Sequence, residues 1–181
     1  MSENRFFIAL LPPQEVQEVA NQIKQHFAEF YRSSKAFNSP PHITIHPPFI
    51  WDSQNLPNLE NHLQAFAQNQ SPIPIILEGF GAFKPRVIYI NPLKTPELIK
   101  FQQDLSRDLK STFGLIGNTE KNRPFAPHIT VAFRDLTKSN FQLAWAVFKE
   151  RELHFEFTIP QLTLLIHNQK VWEIYKEFSF K

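Results

Sequence analysis

The sequence predicts a mixed fold of strands and helices, a single domain of two pseudo-symmetric lobes spanning 1–181. Three observations lead there. The 181-residue chain alternates apolar runs of strand period with runs of helical period. That alternation is gone through twice, in approximate repeats 5–84 and 86–181. Each pass carries one His-x-Thr-x string, His42-Ile-Thr-Ile and His128-Ile-Thr-Val, 86 residues apart (128 − 42). With 19 phenylalanines and three tryptophans, a chain of this length can bury a full core. Fifteen prolines against four glycines make proline the main punctuation between elements.

In order, Phe6–Leu11 reads as a buried strand closed by Pro12 and Pro13. Val16, Val19, Ala20, Ile23, Phe27 and Phe30 recur at helical spacing. A polar loop from Arg32 to Pro41 leads into the first motif strand, which we expect Pro47 and Pro48 to end. Leu59, Leu63 and Phe66 mark a second helix, and 73–83 a strand weakened near Gly79 and Gly81. The second pass opens with a strand at 86–90, its Arg86 answering Arg5 in the first. Thr95 then caps a helix with Pro96 at its first position, and Gly114 stops it. After a polar loop comes the second motif strand, and Thr137 caps a helix carrying Phe141, Ala144, Trp145 and Phe148. Strands near 153–158, 162–167 and 171–179 close the chain.

A formal charge of +2, with its cations scattered, argues against a protein that coats duplex nucleic acid, and permits a small anion or an RNA end. The absence of cysteine excludes disulfides, thiolate nucleophiles and Cys-ligated zinc. The first apolar run is too short for a leader or a membrane span. We expect a cytoplasmic protein, a monomer, with no membrane partner.

Alternation along a strand puts His42 and Thr44 on one face and Ile43 and Ile45 on the other, and likewise His128 and Thr130 against Ile129 and Val131. Strands related by a pseudo-twofold axis would bring two imidazoles and two hydroxyls into one cleft. That set suits in-line displacement at phosphorus. One imidazole takes a proton, the opposing imidazolium gives one, and the hydroxyls donate to non-bridging oxygens. The plainer account, polar residues on an exposed strand face, explains one copy more easily than two, each preceded by proline. A metal site from the His42/His46 pair would need a helix, which the flanking prolines and β-branched residues disfavour. In a strand the two lie about 13 Å apart, too far to share an ion. We therefore expect no metal and no cofactor. His46 shares the motif face and is a candidate for the cleft. His26, His62, His154 and His167 read as ordinary surface or structural residues. Among cations Arg134 is first choice for phosphate, six positions on from His128 on the same face if the strand persists, ahead of Lys35, Lys121 and Arg123.

The segments Ser39-Pro-Pro-His42-Ile-Thr-Ile and Ala126-Pro-His128-Ile-Thr-Val-Ala-Phe-Arg134 resemble the two signatures of the 2H phosphoesterase superfamily. They are most similar to its bacterial 2′-5′ RNA ligase or LigT-like branch, also described as RNA 2′,3′-cyclic phosphodiesterases. The resemblance implies a bilobal α+β fold of duplicated β-α-β-α-β units, with antiparallel sheets around a central cleft and helices outside. It also implies hydrolysis of 2′,3′-cyclic phosphates on RNA ends or cyclic nucleotides to 2′-phosphates, with reversible 2′-5′ joining in some members. By that analogy His42 donates to the leaving 3′ oxygen, His128 activates water, and Thr44 and Thr130 hold the phosphate. Phe49 and Phe125 are the candidates to face the base. Other substrates for the scaffold are ADP-ribose cyclic phosphate and 2′-5′ oligonucleotides. An RNA-end or nucleotide binding module without turnover is the alternative from another class.

Overall fold

In the computed structural model, which describes residues 2–117 and 123–181, these patterns become eight strands and four helices. They are β1 (Glu3–Leu10), α1 (Gln14–Tyr31), β2 (Ile43–Asp52), α2 (Leu56–Gln68), β3 (Ile73–Phe83), β4 (Val87–Pro92), α3 (Pro96–Phe113), β5 (Ile129–Ala132), α4 (Lys138–Phe148), β6 (His154–Ile159), β7 (Gln161–His167) and β8 (Trp172–Ser179). Local chemistry sets several ends. The Thr95 and Thr137 hydroxyls accept from the Leu98 and Asn140 amides, and Gly114 closes α3 with φ 69°. Lys121 lies outside the described residues.

The strands form two four-stranded antiparallel sheets, ordered β2-β1-β7-β8 and β5-β4-β3-β6. This is the α+β architecture with antiparallel sheets that the resemblance implies. Each sheet draws on both halves of the sequence: β3 pairs with β4 and β6, and β7 pairs with β1. Helices cross over as well, α1 packing on β5 and α3 on β2. Either motif strand is therefore an edge of its own sheet, backed by a helix from the other half.

One expectation fails. Pro47 and Pro48 do not end the first motif strand, because β2 runs on to Asp52. An edge strand can spare the amides that proline lacks, and a register shift between Phe6 and Ile8 places both prolines where the ladder is already broken. Below both sheets lies one core that includes Phe6, Ile8 and Leu10 of β1 and Phe27 and Phe148, whose rings stack at 4.8 Å to join α1 to α4. Each such fully buried apolar side chain contributes about 1.5–3 kcal/mol. The opposite face of β1 carries Phe7 and Ala9, which with Leu165 form a small second cluster against Trp172. Phe7 and Trp172 both line the cleft.

Candidate active site

Both motifs are assembled by one local device. A buried proline, Pro41 or Pro127, precedes each histidine and keeps the residue before it extended. The carbonyl two residues before the histidine then meets the ring. His42 Nδ1 donates to the Pro40 carbonyl at 2.7 Å, and His128 Nδ1 to the Ala126 carbonyl at 2.7 Å. A carbonyl only accepts, so in each neutral ring the proton sits on Nδ1 and Nε2 keeps the lone pair. Beyond the motif both strands bulge at the same place. Thr44 pairs with Ala9 and His46 with Ile8, leaving Ile45 as the extra residue; Thr130 pairs with Tyr89 and Ala132 with Ile88, leaving Val131 as its counterpart. A bulge turns the residue after it.

That bulge relocates His46. Strict alternation would aim it into the cleft, but it is 1% exposed, its Nδ1 is 2.9 Å from the Pro47 carbonyl and its ring packs edge-on against Phe49. Phe49 is half-buried, packs on the core against Phe6 and Trp51, and does not line the cleft. Phe125 is half-buried and lines a separate hollow of about 250 Å³ that Thr44 and His128 share. Lys35 and Arg123 are exposed and outside the cleft lining.

The structure brings together the rest. A cleft of about 360 Å³ is lined by His42, Thr44, His128, Thr130 and Arg134. Arg134 reaches it by a different route from the one alternation suggests. β5 stops at Ala132, and Arg134 enters through a turn with φ 62°. Sequence reasoning passes over several further lining residues, among them Arg5, Phe7, His167 and Trp172. Arg5 stacks its guanidinium 5.4 Å from the Trp172 ring, and Phe7 lies 4.8 Å from His42. Strand period is the signal for two of them, since Arg5 and Phe7 share a face of β1. His167 takes the opposite tautomer to the motif histidines, because its Nδ1 accepts from the Gln169 amide at 3.2 Å. Its Nε2 is then a donor.

No aspartate or glutamate lines the cleft among the described residues, while two arginines do. A third cation stands close by. Lys24 of α1 is 1% exposed, donates to the Ser39 carbonyl at 2.8 Å, and makes no carboxylate pair among the described residues. Burial pushes its pKa down to about 8. His42 is pushed down to about 4, by burial first and then by Lys24 and His128, against the opposing pull of the Pro40 hydrogen bond. Burial also lowers His128. Burial thus favours the neutral form of both motif imidazoles in a positive field, an environment that favours an anion and in which a bound anion would raise their pKa values. Among the described residues no group of three or more His, Asp or Glu side chains is placed to hold a metal ion.

A family model described as the 2′-5′ RNA ligase superfamily matches residues 12–170. The chain belongs to that superfamily. The likeness read from its two motifs to the 2H phosphoesterases is thereby shown. A Geobacillus kaustophilus protein named as a candidate phosphoesterase is 28% identical over 177 residues, 96% of this chain and 95% of that one. A Bacillus pumilus protein named likewise is 26% identical over 96% of both chains. Among solved structures, Escherichia coli LigT complexed with 3′-AMP aligns with a TM-score of 0.69 at 20% identity, covering 99% of each chain. A Thermus thermophilus protein aligns at 0.67 and 18% identity, covering 97% of each. At these identities the structural matches establish the fold. No described helix is long and apolar enough to cross a membrane.

Proposed function

We propose that this superfamily member opens 2′,3′-cyclic phosphates, on RNA ends or free nucleotides, to 2′-phosphates by acid–base catalysis between His42 and His128. The observation that carries the reading is the matched pair of Nδ1–carbonyl anchors, which leaves two Nε2 atoms to serve one cation-lined cleft. Water attacks phosphorus as the bond from phosphorus to O3′ breaks. A neutral imidazole takes the water's proton, and the opposing imidazolium delivers one to O3′. The Thr44 and Thr130 hydroxyls donate to the non-bridging oxygens, and Arg134 and Arg5 offset their charge. Strain in the five-membered ring and in-line placement lower the barrier, so this route uses no metal. The nucleotides in the E. coli LigT structures, 3′-AMP, NADP+ and ATP, support a nucleotide as the ligand class.

Purified protein held in EDTA should convert 2′,3′-cyclic nucleotides to the 2′-monophosphate, followed by ³¹P NMR. Abolition of turnover by the chelator, or release of the 3′-phosphate alone, would overturn the reading. A panel adding 2′-5′-linked dinucleotides and ADP-ribose cyclic phosphate ranks the substrates by kcat/KM. Tight binding across it without turnover would mean a binding module.

A further inference from the structure

The route by which Arg134 enters the cleft has its own support. Its φ of 62° lies in the left-handed region, which arginine has no steric freedom to favour. The Asp135 amide donates to the Phe133 carbonyl at 2.6 Å, closing a γ-turn centred on Arg134. A turn of this kind persists only where surrounding contacts over-determine it. Here they come from Asp135. One carboxylate oxygen accepts from Ser33 Oγ at 2.8 Å and the other from the Ser34 amide at 2.9 Å. Ser33 is fully buried, its own amide bonded to the Phe27 carbonyl in the turn that ends α1, where Arg32 also has a positive φ of 54°. Asn140 adds a second tie, donating to the Tyr31 carbonyl at 3.0 Å.

The location is informative. A carboxylate beside a helix C-terminus faces the negative end of the dipole, so helix electrostatics disfavour it there. Two converging donors hold it in place regardless. They come from the first half of the chain, about a hundred residues away, whereas Arg134 and its motif strand belong to the second. Asp135 does not line the cleft, while its neighbours Phe133 and Arg134 do, the guanidinium lying 5.3 Å from the Phe133 ring.

We propose that Asp135 is a positioning residue, clamped to Ser33 and Ser34 so that the strained turn presents Arg134 to the phosphate of the substrate. This rests on the reading of the cleft as a phosphoester site, and its test is arranged to tell the two apart. The readout is the affinity for inorganic phosphate, titrated by NMR on the Arg134 Nε–H and on ³¹P, which needs no turnover. KM and kcat for a 2′,3′-cyclic nucleotide run alongside. Arg134→Ala should weaken phosphate binding and raise KM about 10- to 100-fold, the worth of a hydrogen bond to a charged group. Asp135→Ala should weaken both about 3- to 30-fold with kcat within about twofold, and Ser33→Ala should do the same to a smaller degree. In Arg134→Ala/Asp135→Ala the second change should add nothing to the loss of binding, though it lowers the melting temperature in either background. A residue that is only structural would leave KM unmoved, or would multiply the Arg134→Ala loss, and either result overturns the clamp. Should Asp135→Ala fail to fold, Asp135→Asn, which can keep one of the two bonds, carries the comparison. Wild-type protein that binds phosphate but opens no cyclic phosphate would sink the function and leave the clamp standing. Absence of phosphate binding by the wild type would overturn both.

Discussion

On one side of the cleft, His42 leans on the Pro40 carbonyl with Phe7 beside it and Lys24 buried nearby. On the other, His128 leans on the Ala126 carbonyl with Phe83 and Tyr89 beside it. The anchors, the tautomers and even the following bulges correspond; the charge nearby does not. α1 and α3 each have 18 residues and bury the same places along their length: Val16 and Leu98, Ile23 and Leu105, Phe27 and Leu109. At the eleventh place α1 has Lys24 and α3 has Ser106. The matched anchors therefore set where the two imidazoles sit, while burial first and the charge of Lys24 after it set how hard His42 is to protonate. Symmetric geometry alone cannot say which histidine is acid and which is base.

The largest expected effect breaks the symmetry outright. His42→Ala and His128→Ala should each reduce kcat by about 10²–10⁴, with circular dichroism unchanged, since each ring lies on the cleft side of its strand. A substrate with a strongly acidic leaving group then separates the roles, because it needs no proton donor. The family likeness makes His42 the donor. Lys24 opposes that, since a buried ammonium nearby makes imidazolium harder to form at His42 than at His128. We expect the activated substrate to rescue His128→Ala and not His42→Ala. Rescue of His42→Ala would restore the roles that the likeness implies.

Next comes the part of the asymmetry that charge supplies. Lys24→Met keeps the length of the side chain and removes its charge. The pKa of His42 should then rise while that of His128, the internal control, stays put in a ¹H–¹⁵N titration. Because both histidines are depressed, wild-type kcat/KM should peak on the acid side of neutrality, and in Lys24→Met the limb set by His42 should move to higher pH. Above about pH 8 the wild-type lysine discharges, so the two proteins should converge there. A second readout is opposite to ordinary core damage. Among the described residues no carboxylate pairs this buried charge, and only the Ser39 carbonyl and the Phe37 ring offset it. Replacing it by an apolar chain should raise the melting temperature at neutral pH rather than lower it. A drop in stability with no change at His42 would make Lys24 a structural residue only.

What is legible in the sequence follows the same divide. Period, caps and prolines are local, and they suffice for the helices, the strands and the shared face of each His–Thr pair. Strand partners are not local. Nothing in Ile73–Phe83 announces that it pairs with β4 and β6 rather than with the sheet of its own half. Bulges are invisible to alternation, which is why alternation aims His46 at the cleft although the residue is buried. Alternation also reaches the right residue at Arg134 for an incorrect reason, since a γ-turn brings it to the cleft and a continued strand does not. Lys24 does leave a trace, lying between Ala20 and Phe27 on the apolar stripe of α1, where a solvated lysine has no place.

The smallest effect tests whether the His42 environment burdens the fold as well as serving the cleft. A histidine held at about 4 in the folded chain, against its ordinary value of 6.5, resists a proton that the unfolded chain accepts. Unfolding is therefore favoured as the pH drops from 6.5 towards 4, and above 6.5 the group contributes nothing. At the bottom of that window the loss approaches ~3 kcal/mol, at about 1.36 kcal/mol per pH unit. Melting temperatures between about pH 7 and 5 should accordingly fall more steeply for the wild type than for His42→Gln. Lys24→Met should fall between them, because removing the ammonium relieves only part of the depression and burial supplies the larger part. Parallel curves for all three would mean that water solvates the ring in the free protein, and that the difference between the two histidines arises only once a phosphate is bound.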